Sequence, residues 1–243
     1  MEVGSVASSS KVPDDMVRNV VLVHGAYADG SSWAGVIEYL QDAGLNVSSV
    51  QNPLTSLADD VACTHRALAL QDGPTILAGH SFAGTVITEA GVDPKVVGLV
   101  YVAARAPDAG EDYGALAKRF PTPPANAGLV YVDGFGGLTE DAFLNDFANG
   151  VDASKAHVLY AAQGRIAQEL FQDRTTVAAW TSKPSWYAIS KQDRTTSPDL
   201  EHFLANRMNA TTIEVDAGHL ALVTHPQEIG GLILSAARAC AAV

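Results

Sequence analysis

The chain has 243 residues, of which 47% are apolar and 17% charged, with a formal net charge of −12 and a pI near 4.8. This length fits one large domain with its own core, and the composition excludes a chain that is disordered over most of its length. An acidic surface repels phosphate groups, so we expect no nucleic acid and no anionic membrane surface as a partner.

Cysteine usage and hydropathy restrict the chemistry and the location further. Cys63 and Cys240 belong to no CxxC pair and no Cys/His cluster, so we expect two reduced thiols and no metal. No apolar run reaches the ~18–20 residues of a membrane-spanning helix. Residues 1–18 are predicted to form a flexible tail without the features of a signal peptide. We therefore expect a cytoplasmic protein, with an exported form whose signal was removed as the alternative.

From residue 19 onward, short apolar segments alternate with helical patterns. In chain order we predict strand 19–24, helix 32–43, strand 44–50, helix 57–70, strand 74–79, helix 81–90 and strand 96–102. After an interruption follow strand 184–189, helix 198–208, strand 211–215 and helix 226–239. Near-continuous apolar strands that alternate with helices predict a doubly wound parallel sheet with right-handed crossovers.

The interruption, residues 107–183, is rich in proline, glycine and aromatic side chains. Helix-like patterns occur in it at 140–149, 153–163 and 168–180. We predict that it forms a cap inserted over the sheet, while residues 19–106 and 184–243 form the core.

The segment 79–84, Gly-His-Ser-Phe-Ala-Gly, runs from a buried strand directly into a helix. A nucleophilic serine on such a sharp turn needs small neighbours two residues before and after it, and Gly79 and Ala83 meet that need. Ser81 is therefore the predicted nucleophile. The alternative is that Ser81 only caps the following helix.

The segment 23–27, Val-His-Gly-Ala-Tyr, follows the first strand. An oxyanion hole needs two backbone N–H groups that converge on one point, and we assign them to Ala26 and Phe82. His24 is predicted to be a structural histidine under this loop.

Two further strands end in residues that suit a serine nucleophile. Asp193 follows strand 184–189 and His219 follows strand 211–215, which gives the chain order Ser, Asp, His expected for this kind of turn. An acid one strand earlier, Asp108, is an alternative to Asp193. Asp216 is disfavoured because it lies too near His219 on the same loop.

With these motifs the chain resembles the α/β-hydrolase superfamily, and within it the small cofactor-free serine esterases related to plant methyl-ester esterases and hydroxynitrile lyases. The resemblance covers residues 19 to about 239. It implies an α/β fold whose doubly wound, mainly parallel sheet has six strands, lacks the first two strands of the full fold and carries a helical cap insertion.

The expected reaction is hydrolysis of small carboxylic esters through a Ser81-His219-Asp193 triad and an acyl-enzyme, without a cofactor. Tyr27 and Leu220 flank the triad and are predicted to touch the substrate. We expect a small neutral ester, because no arginine cluster marks an anion site. Both a monomer and a homodimer fit the sequence.

Three alternatives remain. The related plant lyases carry Thr in place of Gly25 and Lys in place of Leu220, which argues against a hydroxynitrile lyase. A lactonase would use the same triad. A non-catalytic receptor for a small ligand would also fit this scaffold, although such a protein usually lacks a triad residue.

Overall fold

A computed structural model of the protein describes residues 16–242, so most of the predicted N-terminal tail lies outside the described residues. The strands are β1 (Asn19–Val23), β2 (Asn46–Val50), β3 (Thr75–His80), β4 (Val96–Val102), β5 (Leu129–Val132), β6 (Phe135–Leu138), β7 (Ile166–Ala167), β8 (Ser185–Ser190) and β9 (Thr211–Val215). Each of the six strands predicted from the sequence is present.

The α-helices are α1 (Ala34–Asp42), α2 (Leu57–Ala69), α3 (Ala83–Ala90), α4 (Tyr113–Ala117), α5 (Glu140–Ala142), α6 (Ala153–Ala161), α7 (Pro198–Arg207), α8 (Ala221–Thr224) and α9 (Pro226–Ala239). Helix α5 continues into a π-helical turn, Phe143–Phe147. Short 3₁₀ turns are Gly30–Trp33, Pro124–Gly128, Gln168–Gln172, Ala179–Thr181 and Cys240–Ala242. In this described part of the chain, no helix is long and apolar enough to cross a membrane.

The main sheet has six strands in the order β2-β1-β3-β4-β8-β9, and every neighbouring pair is parallel. This confirms the predicted fold class. The chain moves one way from β1 to β2 and the other way from β3 to β4. The carboxyl ends of β1 and β3 therefore border the crevice in which open α/β sheets bind their ligands.

Right-handed crossovers place α1 on one face of the sheet and α2, α3 and α7 on the other. The contacts agree, because α1 packs against α9 and α2 packs against α3. The four central strands are almost completely buried, whereas the edge strands β2 and β9 are half-exposed. Near-continuous apolar sequence thus marks the strands that are covered on both faces.

Residues 107–183 lie between β4 and β8, and we call them the inserted segment. They contain helices α4, α5 and α6, and they also form a second, antiparallel sheet in the order β5-β6-β7 that the sequence did not predict. The predicted helical pattern at 168–180 is present only as two 3₁₀ turns. The boundaries of the cap stay a prediction.

Candidate active site

Ser81 stands between β3 and α3, at the carboxyl end of the sheet. Its φ of +56° lies in the left-handed region, which costs a residue with a side chain roughly 1–3 kcal/mol. Its backbone is held on both sides, because Ser81 N donates to Val102 O at 3.1 Å and Ser81 O accepts from Arg105 N at 3.0 Å. The surrounding strands therefore enforce the turn that aims the hydroxyl out of the sheet.

Small residues around Ser81 are a packing requirement. A Cβ at Gly79 would lie 2.9 Å from Ala83 O. A Cβ at Gly84 would collide with the backbone of Arg105. The motif found in the sequence therefore reflects close approach of backbone to backbone, which glycine alone permits.

Ser81, His219 and Asp193 form one hydrogen-bonded chain. His219 Nδ1 lies 2.6 Å from Asp193 Oδ2, and His219 Nε2 lies 2.8 Å from Ser81 Oγ. With its proton on Nδ1, the ring donates to the carboxylate and accepts from the hydroxyl. The side chains of His219 and Asp193 are fully buried, while Ser81 is partly exposed. The serine is the member of the chain that a substrate can reach.

The second oxygen of Asp193 is also occupied. Asp193 Oδ1 accepts from Thr195 N at 2.6 Å and Thr196 N at 2.8 Å. These bonds fix the orientation of the carboxylate. The two rival acids lie elsewhere, since Asp108 is exposed and Asp216 bonds Gln192 Nε2 at 2.9 Å.

The loop after β1 lies directly against Ser81. A Cβ at Gly25 would be 2.8 Å from Ser81 Cβ and 3.2 Å from Phe82 N. Tyr27, with a φ of +61°, is held by its N–H to Gly164 O at 3.1 Å. Within residues 16–242, the N–H groups of Ala26 and Phe82 donate no hydrogen bond, so both stay available to a ligand.

Two other buried histidines hold backbone in place. His24 Nε2 accepts from Asn52 N at 2.9 Å, and its Nδ1 donates to Gly25 O at 2.9 Å. His80 Nε2 donates to the carbonyl of His219 at 3.0 Å. Burial lowers the pKa of both rings, and the nearby His219 lowers that of His80 further. Both act as neutral rings that position the loops of Ala26 and His219.

A carboxyl group that the sequence analysis did not single out lies behind Asp193. Glu201, on α7, is fully buried, and its Oε2 accepts from Ser190 N at 3.0 Å. Burial, and after it the charge of Asp193, raise the pKa of Glu201 well above its usual range. A protonated Glu201 can lie near the Asp193 anion without a second negative charge.

The inserted segment contacts the loop that carries Asp193 and the loop that carries His219. Asn149 Nδ2 donates to Gln192 O at 2.9 Å, next to Asp193. The side chain of Asn149 also occupies the space that a Cβ at Gly218, next to His219, would need. Asp146 pairs with Arg194 Nε at 2.7 Å. These contacts connect the inserted segment to the geometry of the site.

A cavity of about 310 Å³ opens beside Ser81. Tyr27 lines it together with Ala26 and Phe82, and its contact with a substrate stays a prediction. The predicted substrate contact Leu220 does not line it, because the chain turns into α8 after His219 and buries this side chain. Leu220 instead lines a separate void of about 10 Å³ that it shares with Tyr27.

The remaining wall of the cavity comes from residues that the sequence analysis did not select. They are Arg105, Asn126, Leu129, Phe171, Thr195 and Thr196. One signal was available for Arg105, because it is a charged residue just past the carboxyl end of a central strand. No three His, Cys, Asp or Glu side chains of residues 16–242 are placed to hold a metal ion.

Comparison with known proteins places this geometry in context. Similar solved structures include a pyrethroid hydrolase from Sphingobium faniae, with a TM-score of 0.75 and 18% identity over 93% of this chain and 100% of that chain. A methylesterase from Arabidopsis matches with a TM-score of 0.75 and 17% identity over 90% of this chain and 98% of that chain.

An extracellular alpha/beta-hydrolase from a Paenibacillus species matches with a TM-score of 0.72 and 20% identity over 90% of this chain and 99% of that chain. No curated protein matches the sequence. The model of the alpha/beta hydrolase family matches residues 20–230, nearly the whole chain, and the protein therefore belongs to the alpha/beta hydrolase family.

Proposed function

We propose that the protein is a serine esterase that hydrolyses small carboxylic esters through an acyl-enzyme. The observation that carries the proposal is the chain of short hydrogen bonds from Asp193 through His219 to Ser81, which ends at a cavity. A serine, a base within hydrogen-bond distance and an acid that orients the base are the requirements of nucleophilic acyl transfer.

In the first half of the reaction, Ser81 Oγ attacks the ester carbonyl carbon while His219 Nε2 accepts the hydroxyl proton. Asp193 holds the imidazole with its proton on Nδ1 and stabilises the imidazolium that forms. The carbonyl oxygen becomes an oxyanion, and the N–H groups of Ala26 and Phe82 are assigned to bind it. Loss of one such donor typically costs about 3–4 kcal/mol of transition-state stabilisation.

The first half ends when His219 gives its proton to the leaving alcohol as the ester C–O bond breaks, which leaves the acyl group on Ser81. Water then attacks the acyl-enzyme, and His219 accepts a proton from it. The serine–acyl bond breaks, Ser81 regains its proton, and the carboxylic acid leaves. The cycle consumes one water and needs no group beyond the chain itself.

Membership of the hydrolase family supports hydrolysis as the reaction type. The choice of an ester is supported by the similar structures, which include a methylesterase from Arabidopsis and polyneuridine aldehyde esterase. The apolar wall of the cavity, with Leu129 and Phe171, suits a small organic acyl or alcohol group.

The experiment is hydrolysis of p-nitrophenyl esters from acetate to decanoate, combined with labelling by an alkyl fluorophosphonate. We expect turnover of short esters, and phosphonylation of Ser81 located by mass spectrometry of the digested protein. Ser81→Ala should abolish both, while Ser154→Ala, at an exposed serine on α6, should retain both. Absence of turnover together with an unlabelled Ser81 in the folded protein would overturn the proposal and favour a non-catalytic ligand-binding protein.

A further inference from the structure

Arg105 is held at a fixed place beside Ser81. Tyr187 Oη bonds both backbone groups of Ala104, donating to the carbonyl at 2.6 Å and accepting from the N–H at 2.9 Å. The next N–H, that of Arg105, donates to Ser81 O at 3.0 Å. The backbone of Arg105 is therefore tied directly to that of the proposed nucleophile.

Three aromatic rings surround the guanidinium of Arg105. Its carbon lies 4.7 Å from the ring centre of Tyr113, 5.0 Å from that of Phe171 and 5.3 Å from that of Phe82. Ring faces attract the positive charge, but they provide no lone pair in the plane of its five N–H donors.

Within the part of the chain that the structure describes, Arg105 has no carboxylate partner and no hydrogen bond from its guanidinium. Three other arginines, by contrast, each pair with a carboxylate: Arg174, Arg194 and Arg207. A largely desolvated cation without an anion is unfavourable, and burial lowers the pKa of Arg105 accordingly. An anionic ligand would relieve this cost.

Arg105 lies where two cavities meet. It lines the cavity of about 310 Å³ that contains Ser81 and a second one of about 120 Å³. Thr195 lines both, and Tyr113 lines the smaller one. Thr195 Oγ1 and Tyr113 Oη are buried atoms without a hydrogen-bond partner in the described chain. Arg105, Thr195 and Tyr113 thus all line the smaller cavity, and each carries a polar group that bonds no other group of the described chain.

These groups match the chemistry of a carboxylate. A guanidinium binds a carboxylate through two parallel N–H bonds, and hydroxyl groups add further donors. Burial raises the pKa of Tyr113, so its phenol keeps the proton that it would donate.

We propose that the ester substrate carries a carboxylate, which Arg105, Thr195 and Tyr113 bind while the ester group lies at Ser81. The substrate class is then the half-esters of dicarboxylic acids, and the products are a dicarboxylate and an alcohol. This inference rests on the proposed esterase function. It differs from the neutral ester expected from the sequence. That expectation required an arginine cluster to bind an anion, whereas one unpaired arginine surrounded by aromatic rings suffices for the carboxylate proposed here.

The first test compares matched esters. Monomethyl succinate, glutarate and adipate are assayed in a pH-stat against the corresponding methyl ester amides, which are neutral and of nearly equal shape. Wild type should favour the acid of the best-fitting length over its amide by roughly 10- to 100-fold in kcat/KM, as expected for hydrogen bonds to a charged group. Equal kcat/KM values for every pair would overturn the inference.

Variants then locate the source of the preference. Arg105→Met should bring the ratio of acid to amide close to one, whereas Arg105→Lys should keep part of it. The control is Arg119→Met, which removes another guanidinium lying over an aromatic ring, 5.8 Å from the centre of Phe203, but outside both cavities. It should keep the wild-type ratio. An unchanged ratio in a folded Arg105→Met protein would overturn the inference.

A binding measurement separates this inference from the proposed function. Glutarate and adipate are titrated calorimetrically into Ser81→Ala, and into the same protein with Arg105→Met, where we expect at least about tenfold weaker binding. Arg105-dependent binding without any esterase activity would retain the carboxylate site and overturn the esterase. Ester hydrolysis without a carboxylate preference, and without Arg105-dependent binding, would overturn only the carboxylate site.

Discussion

The carboxyl edge of the main sheet and the inserted segment build the site in different ways. At the sheet edge, Ser81, Asp193 and His219 each follow a parallel strand, and the pairing of those strands fixes where they meet. In the inserted segment, Asn126 and Phe171 reach the cavity from 3₁₀ turns that belong to neither sheet. The difference teaches that the groups of the proposed chemistry come from the sheet edge alone, whereas the sheet edge and the inserted segment share the wall that would face a ligand.

The largest expected effect comes from the sheet edge. Asp193→Asn should lower kcat for ester hydrolysis by about 10⁴-fold, because an amide no longer fixes the tautomer of His219 and no longer stabilises its cation. The measurement is steady-state hydrolysis of the best p-nitrophenyl ester. The control is Asp216→Asn, an exposed acid on the neighbouring loop, which should stay within about twofold. An Asp193→Asn protein with more than a tenth of wild-type kcat would contradict the assigned role.

The next effect concerns the loop after β1. In Gly25→Ala the new Cβ would lie 2.7 Å from His80 O and 2.8 Å from Ser81 Cβ, so the loop that carries Ala26 must shift. A shift of this kind should lower kcat by about 10²-fold with little change in KM. Gly231→Ala is the control, because its Cβ meets open space, and it should keep wild-type kinetics. Wild-type kcat in Gly25→Ala would contradict the role assigned to the loop that carries Ala26.

The third prediction moves to the inserted segment. Phe171→Ala removes a ring that packs edge-to-face on Phe82 with centres 5.9 Å apart and lines the cavity. We expect KM to rise about tenfold, because apolar binding surface is lost. We expect kcat to change by less than threefold, because the hydrogen bonds among Ser81, His219 and Asp193 stay intact. Phe120→Ala, which removes a ring of the inserted segment outside the cavity, should leave KM near the wild-type value. A loss confined to kcat in Phe171→Ala would contradict the division between chemistry and binding.

The last prediction concerns stability and not catalysis, at the junction of the two regions. Asp60 Oδ1 accepts from Leu54 N at 2.9 Å, and Leu54 O accepts from Ala167 N of β7 at 2.8 Å. Burial raises the pKa of Asp60 to about 7. The folded protein therefore holds this proton more tightly than the unfolded chain, and Asp60 loses stabilising effect as the pH rises from about 4 through 7.

Asp60→Asn keeps the acceptor for Leu54 N and removes the titration. We subtract the free energy of unfolding of wild type from that of Asp60→Asn at each pH. This difference should be larger at pH 8 than at pH 5, by on the order of 2 kcal/mol. Urea unfolding at the two pH values measures it. The control is Asp59→Asn. Hydroxyl groups of Ser56 and Thr55 lower the pKa of Asp59, so it stays ionised between pH 5 and pH 8. The difference in free energy of unfolding between Asp59→Asn and wild type should therefore be the same at both pH values. A pH-independent difference for Asp60→Asn would contradict a buried, protonated carboxyl at the junction.

The sequence predicts the sheet and the residues at its edge because each leaves a local signal. A central strand must be apolar on both faces, and the turn at Ser81 needs Gly79 and Ala83 beside it. These requirements act within a few residues of one another. Strand boundaries and the neighbourhood of Ser81 could therefore be predicted without knowledge of the rest of the chain.

The second sheet and the cavity wall could not be predicted in this way. Strand β6 contains Gly136 and Gly137, and part of its support is the side chain of Gln163, which bonds both Leu138 N at 2.6 Å and Leu138 O at 3.2 Å. Such support comes from distant residues and leaves no periodic pattern. The same holds for Leu220, whose neighbour His219 suggested a place in the cavity that the turn into α8 excludes.

The contact made by Asn149 bears on how freely the inserted segment could be replaced. The side chain of Asn149 contacts Gln192, next to Asp193, and Gly218, next to His219. It therefore supports both loops. A chimera in which the cap of another hydrolase replaces residues 107–183 would lose the contacts of Asn149 as well as the cavity wall that this segment provides. We expect such chimeras to have a low kcat until an asparagine is placed at the position equivalent to Asn149. The rise in kcat on adding that one residue would measure how much the contact contributes to catalysis.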